Sequence, residues 1–424
     1  MTYIQKLAAL ISLALLAAAT WFSIHLAAAD AQFQRRTPES VAGAIAIEPR
    51  NTDYLAVRAL QLDYDGADST LLLERAVQLS PLSSSPRIRL GLAGEIRGDS
   101  DAAETWLLDA ARVDRQFEPR WTLANFYFRR ATTAASGNEA ASPFGNQSAE
   151  RFWNVMREAL AVSYGDRRPA FDLCWRLGDA SSMQATKMDA TAILDRAIPD
   201  RREVLAAYLQ YTLDSHPDAA GPVALKLARF GDSSDRPLLL AACDRLIVAR
   251  PDEAHRSEHD TAHDAALALR LWSAIGYAAP AGTFNGSFTT TPLNHGFDWR
   301  LLESPGVVHT ALDQPRSARR IALDGRQPES CALLTQIVNL ESHARYTLRW
   351  EARTSGFSAP AGIEWRIADL HANIGPSDAP AAGSALFVAT SELVPLTLYY
   401  QRPSGQARAE GLIELSRVSI NKTP

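Results

Sequence analysis

The most explicit chemistry in the chain sits on three histidines and one glutamate. His255, Glu258 and His259 spell His-x-x-Glu-His, and His263 follows four residues later. On a helix the three imidazoles would share one face, as zinc ligands must, with the glutamate as the general base of a zinc-dependent hydrolase. The surrounding residues argue against that use. Pro251–Asp264 interleaves Asp252, Glu253, Arg256, Asp260 and Asp264 with the histidines, as a solvated connection does, and no third acidic ligand is evident. Metal is therefore not expected at His255/His259, and the zinc hydrolase is the outlying reading. No glycine-rich phosphate loop ending in Lys-Ser/Thr, no Gly-x-Ser-x-Gly elbow and no dinucleotide fingerprint occurs. A carboxylate pair for glycoside hydrolysis cannot be picked by spacing, because such pairs converge only in a fold. The chain reads as a non-enzyme, with no catalytic residue and no cofactor.

Aromatic side chains supply the second kind of chemistry. Sugar binding needs exposed rings to stack on pyranose faces, with polar groups that reach the hydroxyls. Trp299 lies near a loop and is the leading candidate. Tyr399 and Tyr400 are adjacent in a strand, so one of them must face outward. Trp350 and Trp365 alternate with charged residues and are expected in a core. In the first half Trp121, Phe126, Tyr127, Phe128, Trp153 and Trp175 recur at helical spacing and are expected mainly in the interior. The stripe Trp121, Asn125, Phe128 is the candidate wall of a groove for a protein partner.

Helices must position that stripe. Small, large and small residues recur at steps of four and three: Ser69, Leu73, Ala76; Ala103, Leu107, Ala110; Phe152, Met156, Ala159; Ala190, Leu194, Ala197; and a weaker copy at Gly221, Leu225, Ala228. Such a face lets a second helix approach closely. Pro49, Pro81 and Pro199 follow the apolar runs and predict helix stops. A helix pair this short cannot bury its own apolar face and needs neighbours of the same kind. The segment Ser84–Phe117, with Leu90-Gly91 on its first helix and Ala103, Leu107 and Ala110 on its second, resembles the tetratricopeptide repeat family. It departs from that pattern where Arg115 replaces a terminal proline. The resemblance implies an α-solenoid over 37–278, with a concave surface for a peptide or protein. Ala131–Glu150, rich in Ala, Ser, Gly and Asn, reads as an insertion between two helices (131–150).

The remaining third changes period. Ala278–Gly282 is a small linker, after which apolar residues alternate. Strands are expected at Ala318–Leu323, Cys331–Leu340, Arg345–Ala352, Ile363–Ile367, Ala385–Ala389, Val394–Gln401 and Gly411–Ile420, within a total of eight or nine. They suggest an antiparallel β-sandwich of jelly-roll type over 279–424. Its opening, Phe284-Asn285-Gly286-Ser287-Phe288 followed by Phe297-Asp298-Trp299, resembles the start of galactose-binding-like carbohydrate-binding modules. That resemblance implies glycan binding. It also implies a structural calcium held by acidic residues where this chain has Ser287 and Arg417, so calcium is not expected.

The fold class is thus multidomain α plus β: an N-terminal transmembrane or signal helix (1–36), a tetratricopeptide-like α-solenoid and a C-terminal β-sandwich. Leu7 to Ala29 carries no formal charge, long enough to span a bilayer, and Ala29-Asp30-Ala31 would also suit signal cleavage. An anchor with Lys6 inside and the body exported, on the periplasmic side, is the favoured arrangement; a cleaved, soluble periplasmic or secreted form is the alternative. The net charge of −5 argues against a general nucleic-acid partner. Three cysteines without metal-like spacing are expected to be buried small apolar residues, with a Cys174–Cys243 disulfide as the alternative. The combination resembles envelope proteins that accompany exopolysaccharide synthesis or export. It points to a scaffold that docks a protein partner through its helices and contacts glycan or another protein through its sandwich. The alternative is a tethered carbohydrate-binding protein whose helices are a spacer.

Overall fold

The computed structural model describes residues 3–136, 143–181, 190–247, 258–278, 282–312, 317–357 and 360–423. The chain forms two compact units, Met1–Pro199 and Asp200–Pro424. The first is helical: α1 (Tyr3–Phe33), α2 (Pro38–Ile47), α3 (Thr52–Tyr64), α4 (Thr70–Leu79), α5 (Ser85–Ile96), α6 (Ser100–Val113), α7 (Phe117–Ser136), α8 (Pro143–Val162), α9 (Arg168–Ser181) and α10 (Ala190–Ala197). Caps and stops follow local chemistry. The Thr37 hydroxyl accepts from Ser40 N with Pro38 just inside α2, and the Asp99 carboxylate accepts from Ala102 N at the start of α6. Glu48 and Ser80 close α2 and α4 immediately before Pro49 and Pro81.

The small-large-small faces are the buried faces. Ala103, Leu107 and Ala110 are fully buried, as are Phe152, Met156 and Ala159. On α5, Gly91 and Gly94 meet them: a Cβ on Gly91 would stand 2.6 Å from Leu107 Cγ, and one on Gly94 would stand 3.1 Å from the Ala103 backbone nitrogen. The absence of those two side chains is what lets α5 and α6 lie against each other. The weak copy at Gly221 is in a different register from the expected one. Gly221, Ala224 and Ala228 are buried and Leu225 is only half-buried, because Gly221 faces Leu246 and Leu267 of two other helices. The stretch expected as an insertion is helical as far as Ser136 and again from Pro143.

The long apolar helix α1 is exposed along most of its length, but its last turns are not. Ala29 is fully buried, Phe33 stacks on Tyr54 with centroids 4.5 Å apart, and His25 Nε2 lies 2.9 Å from the Ile47 carbonyl oxygen. Gln32 occupies the space that a side chain on Gly43 would need.

The second unit combines α11 (Arg202–Ser215), α12 (Ala220–Ala228), α13 (Arg236–Ile247) and α14 (Glu258–Ala274) with ten strands. The change of period at 278–282 marks where secondary structure changes, while packing groups α11–α14 with the sandwich. The strands are β1 (Arg300–Leu301), β2 (Val307–Leu312), β3 (Ala318–Asp324), β4 (Ser330–Asn339), β5 (Arg345–Ser355), β6 (Ile363–Ile367), β7 (Leu370–Asn373), β8 (Ala381–Val388), β9 (Leu393–Gln401) and β10 (Glu410–Lys422). They form two five-stranded antiparallel sheets, ordered β1-β4-β9-β6-β7 and β2-β3-β10-β5-β8. Their inner faces share one core that includes Trp299, Trp350, Trp365, Tyr400 and Leu398. All seven strands expected from alternation are present; β1, β2 and β7 are additional, and each is short or lies at a sheet edge. The stretch Phe284–Phe288, likened to an opening strand, is instead a turn with positive φ at Asn285 and Phe288. The three cysteines are free thiols, and Cys174 and Cys243 are buried.

Enlarging either glycine of α5 should open the α5–α6 contact. Gly91→Val is expected to cost about 1–3 kcal/mol, the range for overpacking, read as a lowered denaturant midpoint. Gly98→Ala, at a positive-φ turn with open space around it, should cost less.

Candidate functional site

Strand alternation decides which side chains each sheet shows to solvent. On the outer face of β2-β3-β10-β5-β8, strand β5 presents Arg349, Glu351 and Arg353, while Tyr346, Leu348 and Trp350 point into the core. Strand β10 presents Glu414, Arg417, Ser419 and Asn421. A register shift between Leu415 and Arg417 places Ser416 as an extra residue, and Arg417 falls opposite Glu351. Strand β8 adds Ser384 opposite Arg349. Gly383 leaves room for the Trp350 indole: a Cβ there would meet Trp350 Cε2 at 2.2 Å.

Two adjoining hollows lie on this face. One, of about 470 Å³, is lined by Arg349, Glu351, Ser384, Arg417, Ser419 and Asn421, with Trp350 behind Gly383 and Ala382. The other, of about 550 Å³, shares Glu351, Arg417 and Ser419 and adds Ser287 and Thr289. Ser287 and Arg417, far apart in sequence, thus meet at one hollow. Gly286 makes the approach possible: Val418 N donates to its carbonyl at 2.7 Å, and a Cβ on it would stand 2.1 Å from Val418 O. Among the described residues no group of three or more His, Cys, Asp or Glu converges as a metal site. His255 and the side chains of Glu258 and His259 lie outside the described residues, while His263 is exposed on α14.

The candidate aromatic platforms are corrected by the structure. Trp299 is fully buried, with its Nε1 donating to Asn285 O at 3.2 Å and its ring between Phe288 and Trp365. It plugs the sandwich and offers no free face. Tyr400 is also fully buried, and its hydroxyl accepts from Ala409 N. Tyr399 faces outward on the other sheet, as adjacency requires, but Arg366 covers its ring at 3.5 Å and Ser330 holds its hydroxyl at 2.5 Å. Arg366 also donates to Glu364, whose carboxylate meets His371 at 3.0 Å. Burial would raise the Glu364 pKa, but the hydrogen bonds from His371 and Arg366 outweigh it and hold it below the ordinary range.

The groove expected at Trp121, Asn125 and Phe128 is not an open wall either. Phe128 is buried against Phe152 of α8, with the Arg176 guanidinium from α9 over its ring. Asn125 spends its amide on the Trp121 carbonyl, and Trp121 stacks on Phe117. Spacing alone misled here because a stripe shared by three helices has the same period as a stripe facing a groove.

Sequence reasoning missed the joint that fixes the mouth of the sandwich. Asp244 of α13 accepts from Gly296 N and Arg300 Nη2, both at 2.7 Å, and pairs with His295 Nδ1 at 2.5 Å. Trp272 of α14 packs edge-on against Phe284 and Phe297, with Gly296 pressed to its ring. The signal available was a cluster of turn-forming residues, Asn294, His295 and Gly296, before an arginine. Asp298 is buried behind it, accepting from Leu293 N and Trp299 N, and desolvation raises its pKa despite those bonds.

No family model and no curated protein matches the chain. Among solved structures, one titled "CBM4 structure and function" is similar over 33% of this chain and 99% of its own, at 14% identity and a TM-score of 0.26. A likeness of that size carries no argument about function.

Two outcomes follow. Because Glu364 has a folded pKa below its unfolded value near 4.5, its contribution to stability is present above that value and is lost as pH falls through the lowered pKa. Glu364→Gln should therefore flatten the acid limb of a stability-versus-pH curve and leave the neutral limb's slope unchanged. Asp244→Ala leaves the Arg300 side chain, 16% exposed, without its carboxylate. It is expected to cost about 2–4 kcal/mol and to increase hydrogen exchange at 294–300.

Proposed function

We propose that this chain is a non-enzymatic, membrane-anchored envelope scaffold whose sandwich binds glycan on the outer face of β2-β3-β10-β5-β8. The observation that carries this reading is the pair of adjoining hollows there, walled by guanidinium, hydroxyl and amide groups. A saccharide presents a dense array of hydroxyl donors and acceptors, and these side chains match it. The hollows together offer length along the sheet, which suits a polymer better than a single small ring. In this reading the first unit's helix pairs, tetratricopeptide-like in the nesting of Gly91 and Gly94 on Ala103 and Leu107, hold a protein partner of a polysaccharide synthesis or export machine.

The anchor reading rests on α1. Cutting at Ala29-Asp30-Ala31 would remove the buried Ala29 and the His25 contact to Ile47 from the packed face of α2. A retained helix keeps both, and its preceding apolar turns are long enough to cross a bilayer. The lysine side is read as inside and the body as exported.

Affinity electrophoresis of the detergent-solubilised full chain through gels cast with a panel of neutral and acidic polysaccharides tests the glycan reading. At least one should retard the protein, and Ser384→Trp, which fills the hollow, should abolish the retardation. Passage through every gel at the rate of the glycan-free control overturns it. For the anchor, alkaline carbonate should leave the protein in the membrane pellet, with a mass that includes residues 3–33. A mature form beginning near Gln32 would overturn that part.

A further inference from the structure

Arg320, Arg349, Arg353 and Arg417 lie with the carboxylates Glu351 and Glu414 on the outer face described above. Glu414 is committed twice: Arg320 reaches it at 2.7 Å and Arg353 at 3.9 Å. Glu351 lies opposite Arg417 in the strand register, and its Oε2 takes the Ser416 hydroxyl at 3.3 Å. That leaves Arg349 and Arg417, both exposed, with no hydrogen-bonded or carboxylate partner among the described residues. Both line the same hollow, and Arg417 also lines the second. The cationic excess is local, since the whole chain carries −5.

Among the described residues this face offers little ring surface. The large apolar side chains exposed on the sandwich are Val308, Leu386 and Val388, all aliphatic. Trp350 lines the first hollow but is only 8% exposed, its indole filling the space a side chain on Gly383 would take. Stacking, which holds an uncharged sugar, therefore has little surface to act through there. What is available is a pair of guanidinium forks, whose planar donors match a carboxylate in two parallel hydrogen bonds. Hydroxyls from Ser384, Ser419 and Ser287 and the amide of Asn421 surround them. They suit a ligand that is polyhydroxylated between its charges. A nucleic acid would need exposed rings for its bases or a basic protein overall, and neither is present on this face.

We infer that the face formed by β10, β5 and β8 takes a carboxylated polysaccharide, a polyuronate, with Arg349 and Arg417 as the residues that pair with its carboxylates. The inference rests on the glycan reading above and narrows it to acidic chains.

Polygalacturonate and its fully methyl-esterified form share one backbone and differ in charge, so they separate the two ideas. The detergent-solubilised full chain is titrated against each, and against a DNA duplex of equal charge, at 50 mM and 300 mM salt. Expected is at least tenfold tighter binding of the acid form than of the ester, weakened at the higher salt. Arg349→Ala and Arg417→Ala should each reduce it severalfold, and together they should bring it down to the level of the ester. Arg345→Ala, an exposed arginine on the same strand outside the hollows, should change it less than twofold. Melting curves confirm that the variants fold, which exposed positions permit. Equal binding of acid and ester overturns the inference and leaves the glycan reading standing. Binding of neither polymer overturns the inference, and the broader polysaccharide panel then decides the glycan reading separately. Binding of the duplex as tightly as the acid polymer overturns it in favour of a general polyanion surface.

Discussion

The second unit depends on what happens to one carboxylate. Asp244 gathers a backbone amide, a guanidinium and an imidazole from residues 295–300. Three donors on one partly buried acceptor fix the turn that leads into β1, and charge-assisted bonds of this kind are worth roughly twice a neutral one. With the turn fixed, Gly296 can sit against Trp272, and Asp298 can cap the backbone on the turn's inner side. Trp299 is then delivered into the sandwich as its end plug. The helices α13 and α14 are in this sense part of the sandwich's own structure, which is why packing groups them with it. Residues 283–424 alone would lack that support.

The glycine at 286 connects this joint to the outer face of β10, β5 and β8. Its missing Cβ lets the turn 284–288 lie on β10, and Ser287 is brought beside Arg417. The register shift before Arg417 restores outward alternation after Leu415, so the guanidinium is held in the open where β10 runs beside β5, just past the end of its pairing with β3 at Leu415. A long charged side chain on a loop would pay more conformational entropy on binding than one rooted in a central strand. The rigid strand supplies the position, and the flexible stem supplies reach.

Much of this was legible in residue order. Ile363–Ile367 alternates so cleanly that its strand bounds are those of β6, and Ala103, Leu107 and Ala110 announced a close helix contact that Gly91 and Gly94 complete. These readings succeeded because burial on one face imposes a period, and period is a local property. The site was less legible. Trp299 looked like a platform beside a loop, yet the loop is pinned and the indole turned inward. Phe128 looked like a groove wall, yet a third helix covers it. Exposure is decided by partners distant in sequence, and no spacing reports them. Arg417 was noticed only as a departure from an acidic position. That it shares a hollow with Arg349 emerges from the register of β10 on β5, which sets Arg417 opposite Glu351 and Ser419 opposite Arg349.

At this hollow the structural tie and the positive charge are carried by different groups. A cation held between an opening turn and a closing strand neutralises carboxylates there and cross-links two chain ends. With Ser287 and Arg417 at those places the protein carries its positive charge covalently. A guanidinium does not need to be bound before it can act. Unlike a divalent ion it also leaves its donors directed outward and not into a coordination shell. The cross-link itself is then left to Gly286 and the Val418 amide, a backbone contact that requires no charge at all. Separating the structural tie from the charge in this way is what the proposed polyuronate binding requires, since the guanidinium is then not consumed in holding the chain together.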